Sequence, residues 1–159
     1  MNVVVIITDT LRRDYLGLYG NKSVRTPSLD RFSERCVVFD RAYLASFPTM
    51  PARADIYTGK FTAPYLGWGP LPKDEVILPQ VLTDAGYRTA AMVDTPFHMR
   101  DQYGYDRGFH EFDWIASQGT IHEGGWRKLK PVEEIQFERQ YESDYCAPMT
   151  CYRAERWIE

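Results

Sequence analysis

The first apolar run of the chain, Val3-Val4-Val5-Ile6-Ile7, is β-branched throughout and carries no polar alternation. Continuous apolarity of this kind predicts a strand covered on both faces, as in a parallel sheet. Asp9 and Thr10 follow where such a strand would end, and open α/β sheets place their ligands beyond the carboxyl ends of strands. Tyr15 to Asn21, with Gly17 and Gly20, reads as a loop. Thr26-Pro27-Ser28-Leu29-Asp30-Arg31-Phe32 predicts a helix with Thr26 as N-cap and Pro27 at the first helical position. A second strand is predicted from Cys36 to Tyr43. Ser46 to Pro51 reads as a turn, after which Pro51 opens a helix that runs to about Tyr57 and stops at Gly59. The Gly-, Pro- and aromatic-rich stretch from Pro64 to Pro72 is a loop. Leu78 to Gly86 is a short helix with a glycine stop, and Arg88 to Val93 a third strand followed by another acid, Asp94.

Strand and helix therefore alternate over residues 1–100, which predicts an α/β fold: a layered α/β/α arrangement around a mostly parallel sheet. The period is lost from about Gln102. Residues 101–159 read as an irregular region, with the first turns of a helix from Pro148 to Ile158. No internal repeat or low-complexity tract interrupts the chain. The helix from Pro148 reaches Glu159 with no stop signal, so residues 1–159 read as one domain.

Composition adds little to that picture but removes several function classes. Of 159 residues, 44% are hydrophobic and 26% charged, an ordinary globular balance. The formal net charge is -3 and there is no basic run, so a nucleic-acid partner is not expected. No apolar run is long enough for a signal peptide or a membrane span, so no membrane partner is expected and a cytoplasmic location is. The three cysteines, Cys36, Cys146 and Cys151, fit no zinc spacing and suit a reducing compartment; Cys36 is expected to be a buried structural thiol.

The candidate chemistry centres on Thr49-Met50-Pro51-Ala52-Arg53-Ala54-Asp55-Ile56-Tyr57-Thr58-Gly59. Thr49 falls at a helix N-terminus, where unpaired amides and the helix dipole favour anions such as phosphate and sulfate. The same field lowers the cost of a threonine alkoxide. Arg53, in the first turn, presents N–H donors to anionic oxygens. Considered apart from the rest, Thr49 is a cap and Arg53 a surface cation.

The full segment resembles the sulfatase signature, Cys-x-Pro-Ser-Arg followed by four residues and Thr-Gly, with Thr49 at the cysteine position and Ala52 at the serine. Pro51, Arg53, Thr58 and Gly59 match in register. Ile6-Ile7-Thr8-Asp9-Thr10 resembles the first-strand motif of the alkaline phosphatase superfamily, whose aspartate binds metal. Thr26 to Phe32 is similar to Thr-Pro-Asn-Leu-Asp-Arg-Leu, a structural helix of sulfatases. Gly86-Tyr87-Arg88-Thr89-Ala90 through His98 is similar to Gly-Tyr-x-Thr-Ala leading into Gly-Lys-Trp-His, with the lysine absent. Phe109-His110-Glu111-Phe112 follows Gly108 as Gly-Phe-Asp-x-Phe does in sulfatases, and is read as architecture. The resemblance covers Asn2 to about Phe112, and since members of the family are considerably longer it implies that residues 1–159 are the N-terminal part of one catalytic domain, with a C-terminal part of the same chain missing.

What the resemblance implies is a metal-dependent hydrolase of sulfate, phosphate or phosphonate esters acting on a small anionic ester. The implied cofactor is a divalent ion (Ca, Mg, Mn or Zn). Asp9, Thr10 and Thr49 are the implied metal ligands, with Thr10 either a weak ligand or a turn cap, and further ligands are expected downstream. Thr49 is the implied nucleophile, Arg53 the group that holds substrate oxygens and His98 a group that stabilises them or protonates the leaving group; Asp94 is a weaker candidate. Threonine cannot be converted to formylglycine, as the sulfatase cysteine is, so Thr49 would attack through its own hydroxyl. His110, His122 and Cys151 show no ligand spacing and are assigned no role. The alternative is a non-catalytic, truncated anion-binding or interaction fragment.

Overall fold

The computed structural model describes residues 1–94, 102–115, 121–122, 125–126, 141–142 and 145–159. They form two compact units, Met1–Leu44 and Ala45–Glu159.

In the first unit, two 3-10 turns, Arg13–Tyr15 and Gly17–Tyr19, precede helix α1, Pro27–Ser33. Thr26 occupies the N-cap position as expected, but its hydroxyl does not cap the helix. It accepts the Gly17 amide at 2.8 Å and donates to Asp30 Oδ1 at 3.0 Å. Asp30 Oδ1 also accepts the Leu18 amide at 2.9 Å. One carboxylate and one hydroxyl on α1 thus fix the preceding loop. A Cβ at Gly17 would sit 2.4 Å from Asp30 Oδ2 and would displace the carboxylate that holds this loop.

The two strands expected in this unit do not form. Val3 to Ile7 has no ladder partner among the described residues, and its side chains are 43–81% exposed. Cys36 to Tyr43 is likewise unpaired, and Cys36 is exposed rather than buried. A strand is held by ladder hydrogen bonds and by cover on its faces. β-branched composition supplies neither, and the described residues offer neither to these segments.

The second unit contains helix α2, Thr49–Thr58, helix α3, Leu78–Asp84, strand β1, Ala90–Val93, strand β2, Glu111–Trp114, the two-residue strands β3, Ile121–His122, and β4, Gly125–Trp126, and helix α4, Cys146–Ile158. β1 and β2 pair in parallel, with Ala90 opposite Glu111 and Val93 opposite Trp114; β3 and β4 pair antiparallel. The expected glycine stops of α2 and α3 are present: Gly59 and Gly86 have φ of +65° and +85°. The helix expected from Pro148 starts two residues earlier. β2 lies in the stretch expected to be irregular, because Glu-Phe-Asp-Trp is too short and too acidic to show a strand period, and its parallel partner is remote in sequence.

The core of this unit forms around α2. Met50 and Ala54 share a helix face and pack with Leu71, Ile77 and Tyr105, and Tyr57, one turn further along, is partly buried against them. The Leu71 amide bonds the Tyr103 carbonyl at 2.9 Å. Arg107 donates to the carbonyls of Pro72, Lys73 and Glu75 at 3.2, 3.0 and 2.8 Å, closing the loop between α2 and α3 onto the segment before β2. The Thr83 hydroxyl donates to the Gly108 carbonyl at 2.7 Å. At Gly108 φ is +83° and a Cβ would meet the Gln80 amide nitrogen at 2.6 Å, so α3 passes too close for any side chain. The expected architectural role of the Gly108–Phe112 stretch follows from these contacts and from His110, whose amide bonds the Thr89 carbonyl at 3.0 Å. α4 lies along β1, with Arg153 paired to Asp113 of β2 at 3.0 Å and Arg88 paired to Glu111 and stacked over Trp157.

Candidate active site

Thr49 is the first residue of α2 and is half-buried. The helix starts there because the chain leaves Pro48 with ψ of -140° and the Ala52 amide then bonds the Pro48 carbonyl at 3.1 Å. The expected start at Pro51 moves to Thr49: a proline fits anywhere in the first turn, where its missing N–H is not needed. The amides of Thr49 and Met50 have no intrahelical acceptor, and Pro48 supplies no side-chain cap. Burial of Met50, Pro51 and Ala54 anchors this turn while Thr49 and Arg53 stay half-buried. Thr49 and Arg53 are one turn apart on neighbouring positions of the helix surface. A helix end with donor amides, a hydroxyl and a guanidinium is suited to binding a tetrahedral anion.

The last two residues of the motif terminate the helix. The Thr58 hydroxyl donates to the Ala54 carbonyl at 2.8 Å and accepts the Lys60 amide at 3.2 Å. Gly59 takes the left-handed conformation that lets its amide bond the Asp55 carbonyl at 2.8 Å.

The ionisable groups of α2 are split between charged and neutral. Burial, and then the neighbouring Tyr105, push the Tyr57 hydroxyl well above its ordinary pKa, against the opposing charge of Arg53. Burial, followed by Tyr103, pushes Tyr105 up to about 12. Both phenols are therefore neutral at physiological pH and neither serves as a base. Their rings meet edge to face, with centroids 5.4 Å apart. Asp55 behaves oppositely: burial opposes its charge, but donors from Thr62 and Ser46 outweigh burial and hold its pKa below the usual carboxylate value.

Asp9 and Thr10 lie in the first unit, in an exposed turn. Thr10 has φ of +59°, a region that a β-branched residue enters only at a cost of about 1–2 kcal/mol. Asp9 contributes one hard carboxylate and Thr10 one hydroxyl. These oxygens suit a Ca or Mg ion but are a partial set, since such ions take about six or more ligands. Among the described residues no group of three or more His, Cys, Asp or Glu side chains gathers to complete it. His98 falls outside the described residues. Asp94, half-buried at the end of β1, faces Cys146 at the start of α4; burial, and then the Asp94 charge and hydrogen bond, raise the Cys146 thiol pKa.

Among the described residues, surface hollows of about 500 Å³ lie along α1 and between β2 and α4, and Thr49 lines neither. Sequence reasoning passed over Asp55 and Thr62, which bond each other across the end of α2, and Tyr105, which bonds the Met50 carbonyl in its first turn. One signal was available: an aspartate in a helix interior carries a propensity cost that a contact elsewhere must offset. No helix of the described residues is long and apolar enough to cross a membrane.

Comparison with known proteins agrees with the motif. The chain is 32% identical over 103 residues to steryl-sulfatase of Homo sapiens, covering 56% of this chain and 18% of that protein. It is 29% identical over 134 residues to the N-acetylglucosamine-6-O-sulfatase of Bacteroides thetaiotaomicron, covering 79% of this chain and 22% of that protein. It is 29% identical over 148 residues to the N-acetylgalactosamine-6-sulfatase of Rattus norvegicus, covering 82% of this chain and 28% of that protein. The chain thus spans less than a third of the length of these relatives. No solved structure gives a significant match. The sulfatase family model matches residues 1–144, nearly the whole chain and all of the α2 motif within it, and the chain belongs to the sulfatase family.

Proposed function

We propose that the protein is a hydrolase of sulfate, phosphate or phosphonate esters in which Thr49 is the nucleophile. The observation that carries this reading is the position of Thr49 at the open end of α2, with Arg53 one turn along. The Thr49 oxygen attacks the sulfur or phosphorus and forms a covalent ester, and the alcohol departs with a proton; water then cleaves the intermediate and restores the threonine. Arg53 and the amides at the start of α2 hold the non-bridging oxygens as charge builds on them. His98 protonates the leaving alcohol. A divalent ion bound in part through Asp9 and Thr10 would supply Lewis-acid stabilisation of the ester oxygens. The names of the relatives, all sulfatases, favour an enzyme over a non-catalytic anion-binding fragment.

The test is hydrolysis of an aryl sulfate, an aryl phosphate monoester and an aryl phosphate diester by the full protein, wild type against Thr49→Ala. Removal of a nucleophile should lower kcat by about a thousandfold or more. Near-wild-type turnover in Thr49→Ala would refute the assignment. The preferred ester decides between sulfatase and phosphoesterase chemistry.

A further inference from the structure

A phenylalanine would fill the space of Tyr105 without the cost of burying a hydroxyl, so the oxygen at this position calls for an account. The side chain is fully buried among Met50, Ala54, Leu71 and Ile77. Its hydroxyl donates to the Met50 carbonyl at 3.3 Å. Burial pushes the phenol up to about 12, so it keeps its proton and remains a donor at neutral pH. Met50 is the second residue of α2, directly after Thr49. A carbonyl oxygen carries two lone pairs, so the phenol does not compete with the helix for it. The segment that presents the hydroxyl is itself fixed. The Leu71 amide bonds the Tyr103 carbonyl at 2.9 Å, Gly104 turns the chain with φ of +71°, and Arg107 donates to the carbonyls of Pro72, Lys73 and Glu75. The ring meets Tyr57 edge to face, with centroids 5.4 Å apart. Tyr105 thus touches α2 twice, through its ring at Tyr57 and through its hydroxyl in the first turn. Helix ends fray where they are not tied, and no side chain caps the start of α2.

We propose that Tyr105 is a positioning residue whose hydroxyl bond to the Met50 carbonyl fixes the first turn of α2 against the core, and with it the Thr49 hydroxyl one residue earlier. At 3.3 Å the bond is longer than the usual O–H···O distance, so it sets the alignment of the turn and does not decide whether α2 forms. Burial of Met50, Pro51 and Ala54 does that. The proposal rests on Thr49 being the nucleophile, and concerns where that hydroxyl is held rather than the chemistry it performs.

The experiment compares wild-type full protein with Tyr105→Phe, and with Gly86→Ala as a variant weakened elsewhere in the same unit. It reads kcat and KM on the best aryl ester, and amide hydrogen exchange at Ala52, Arg53 and Ala54 of α2 against Val81 to Asp84 of α3. Tyr105→Phe keeps the ring and the core. It should lower kcat by about 3- to 10-fold, the effect of a slightly misplaced reacting group, with KM changed by less than about twofold. Exchange should quicken in the first turn of α2 and not in α3. The analogue para-aminophenylalanine at position 105 donates from the same place on the ring and should restore both kcat and exchange. Gly86→Ala loses stability at the left-handed glycine that ends α3, and should keep kcat within about twofold of wild type. Wild-type kcat or wild-type first-turn exchange in Tyr105→Phe overturns the proposal. So does a kcat loss in Gly86→Ala as large as that in Tyr105→Phe, since the effect would then follow stability and not position. If Thr49→Ala retains activity, the nucleophile assignment fails separately, and the exchange rates alone then support or overturn the tie.

Discussion

Tyr105 offers a sharp test of how the core supports the start of α2. Its side chain is fully buried, its ring packs on Tyr57, and its hydroxyl donates to the Met50 carbonyl, the residue after Thr49, at 3.3 Å. Tyr105→Phe removes the hydroxyl alone. That carbonyl is also placed to accept an intrahelical bond, so it is not orphaned, and the loss at neutral pH should be about 0.5–1.5 kcal/mol. The pH dependence is more telling. The ordinary tyrosine value is 10.0 and Tyr105 stands at about 12. A raised folded-state pKa means that the folded chain retains the proton while the unfolded chain loses it. The stabilisation is therefore complete below pH 10 and declines as pH rises towards 12. With these values about 1.4 kcal/mol is lost by pH 11, as much as the hydroxyl contributes at neutrality. Urea unfolding at pH 7, 9, 10 and 11 should show wild type more stable than Tyr105→Phe at pH 7, the gap closing to zero or reversing by pH 11. The lysines titrate in both proteins and cancel in the difference; Tyr57, whose pKa is raised in part by Tyr105, is raised less in the variant and closes the gap further. A gap that stays constant through pH 11 would refute the buried, neutral phenol.

Gly108→Ala should destabilise by about 2–4 kcal/mol, because a Cβ would strike the Gln80 backbone as well as enter a left-handed conformation. Gly86→Ala, with φ of +85° and open space around it, should cost only about 1–2 kcal/mol, so equal losses of midpoint denaturant concentration in the two variants would contradict the close approach of α3. Ester hydrolysis by the full protein should cease on treatment with a chelator and return on adding back Mg, Ca, Mn or Zn; activity undiminished after exhaustive chelation would remove Asp9 and Thr10 from the proposed site.

The parts of the fold that could be read from the sequence are those written in local chemistry. Thr26-Pro27 marked the start of α1, and Gly59 and Gly86 marked the ends of α2 and α3, since each requirement is met within a turn of the residue itself. Strands followed a different rule. Val3 to Ile7 has the stronger β composition yet has no ladder partner among the described residues, while Glu111–Trp114, half acidic, forms a parallel ladder with β1. A strand depends on a partner elsewhere in the chain, and composition does not record which segment meets which.

The site divides along the same line. That Thr49 stands at a helix N-terminus and Arg53 one turn along was legible because both positions are fixed by local geometry; what they do there is proposed. The bonds of Asp55 to Thr62 were not legible, because Thr62 becomes its neighbour only when the chain after α2 folds back on the helix. The eleven-residue motif accordingly contains two kinds of residue. Thr49 and Arg53 stand at the start of α2 and one turn along, while Asp55 bonds Thr62 beyond the helix and Thr58 and Gly59 stop it. Thr58 and Gly59 stop the helix through hydrogen bonds of their own, so the form of α2 at that end does not depend on which residue stands at position 49.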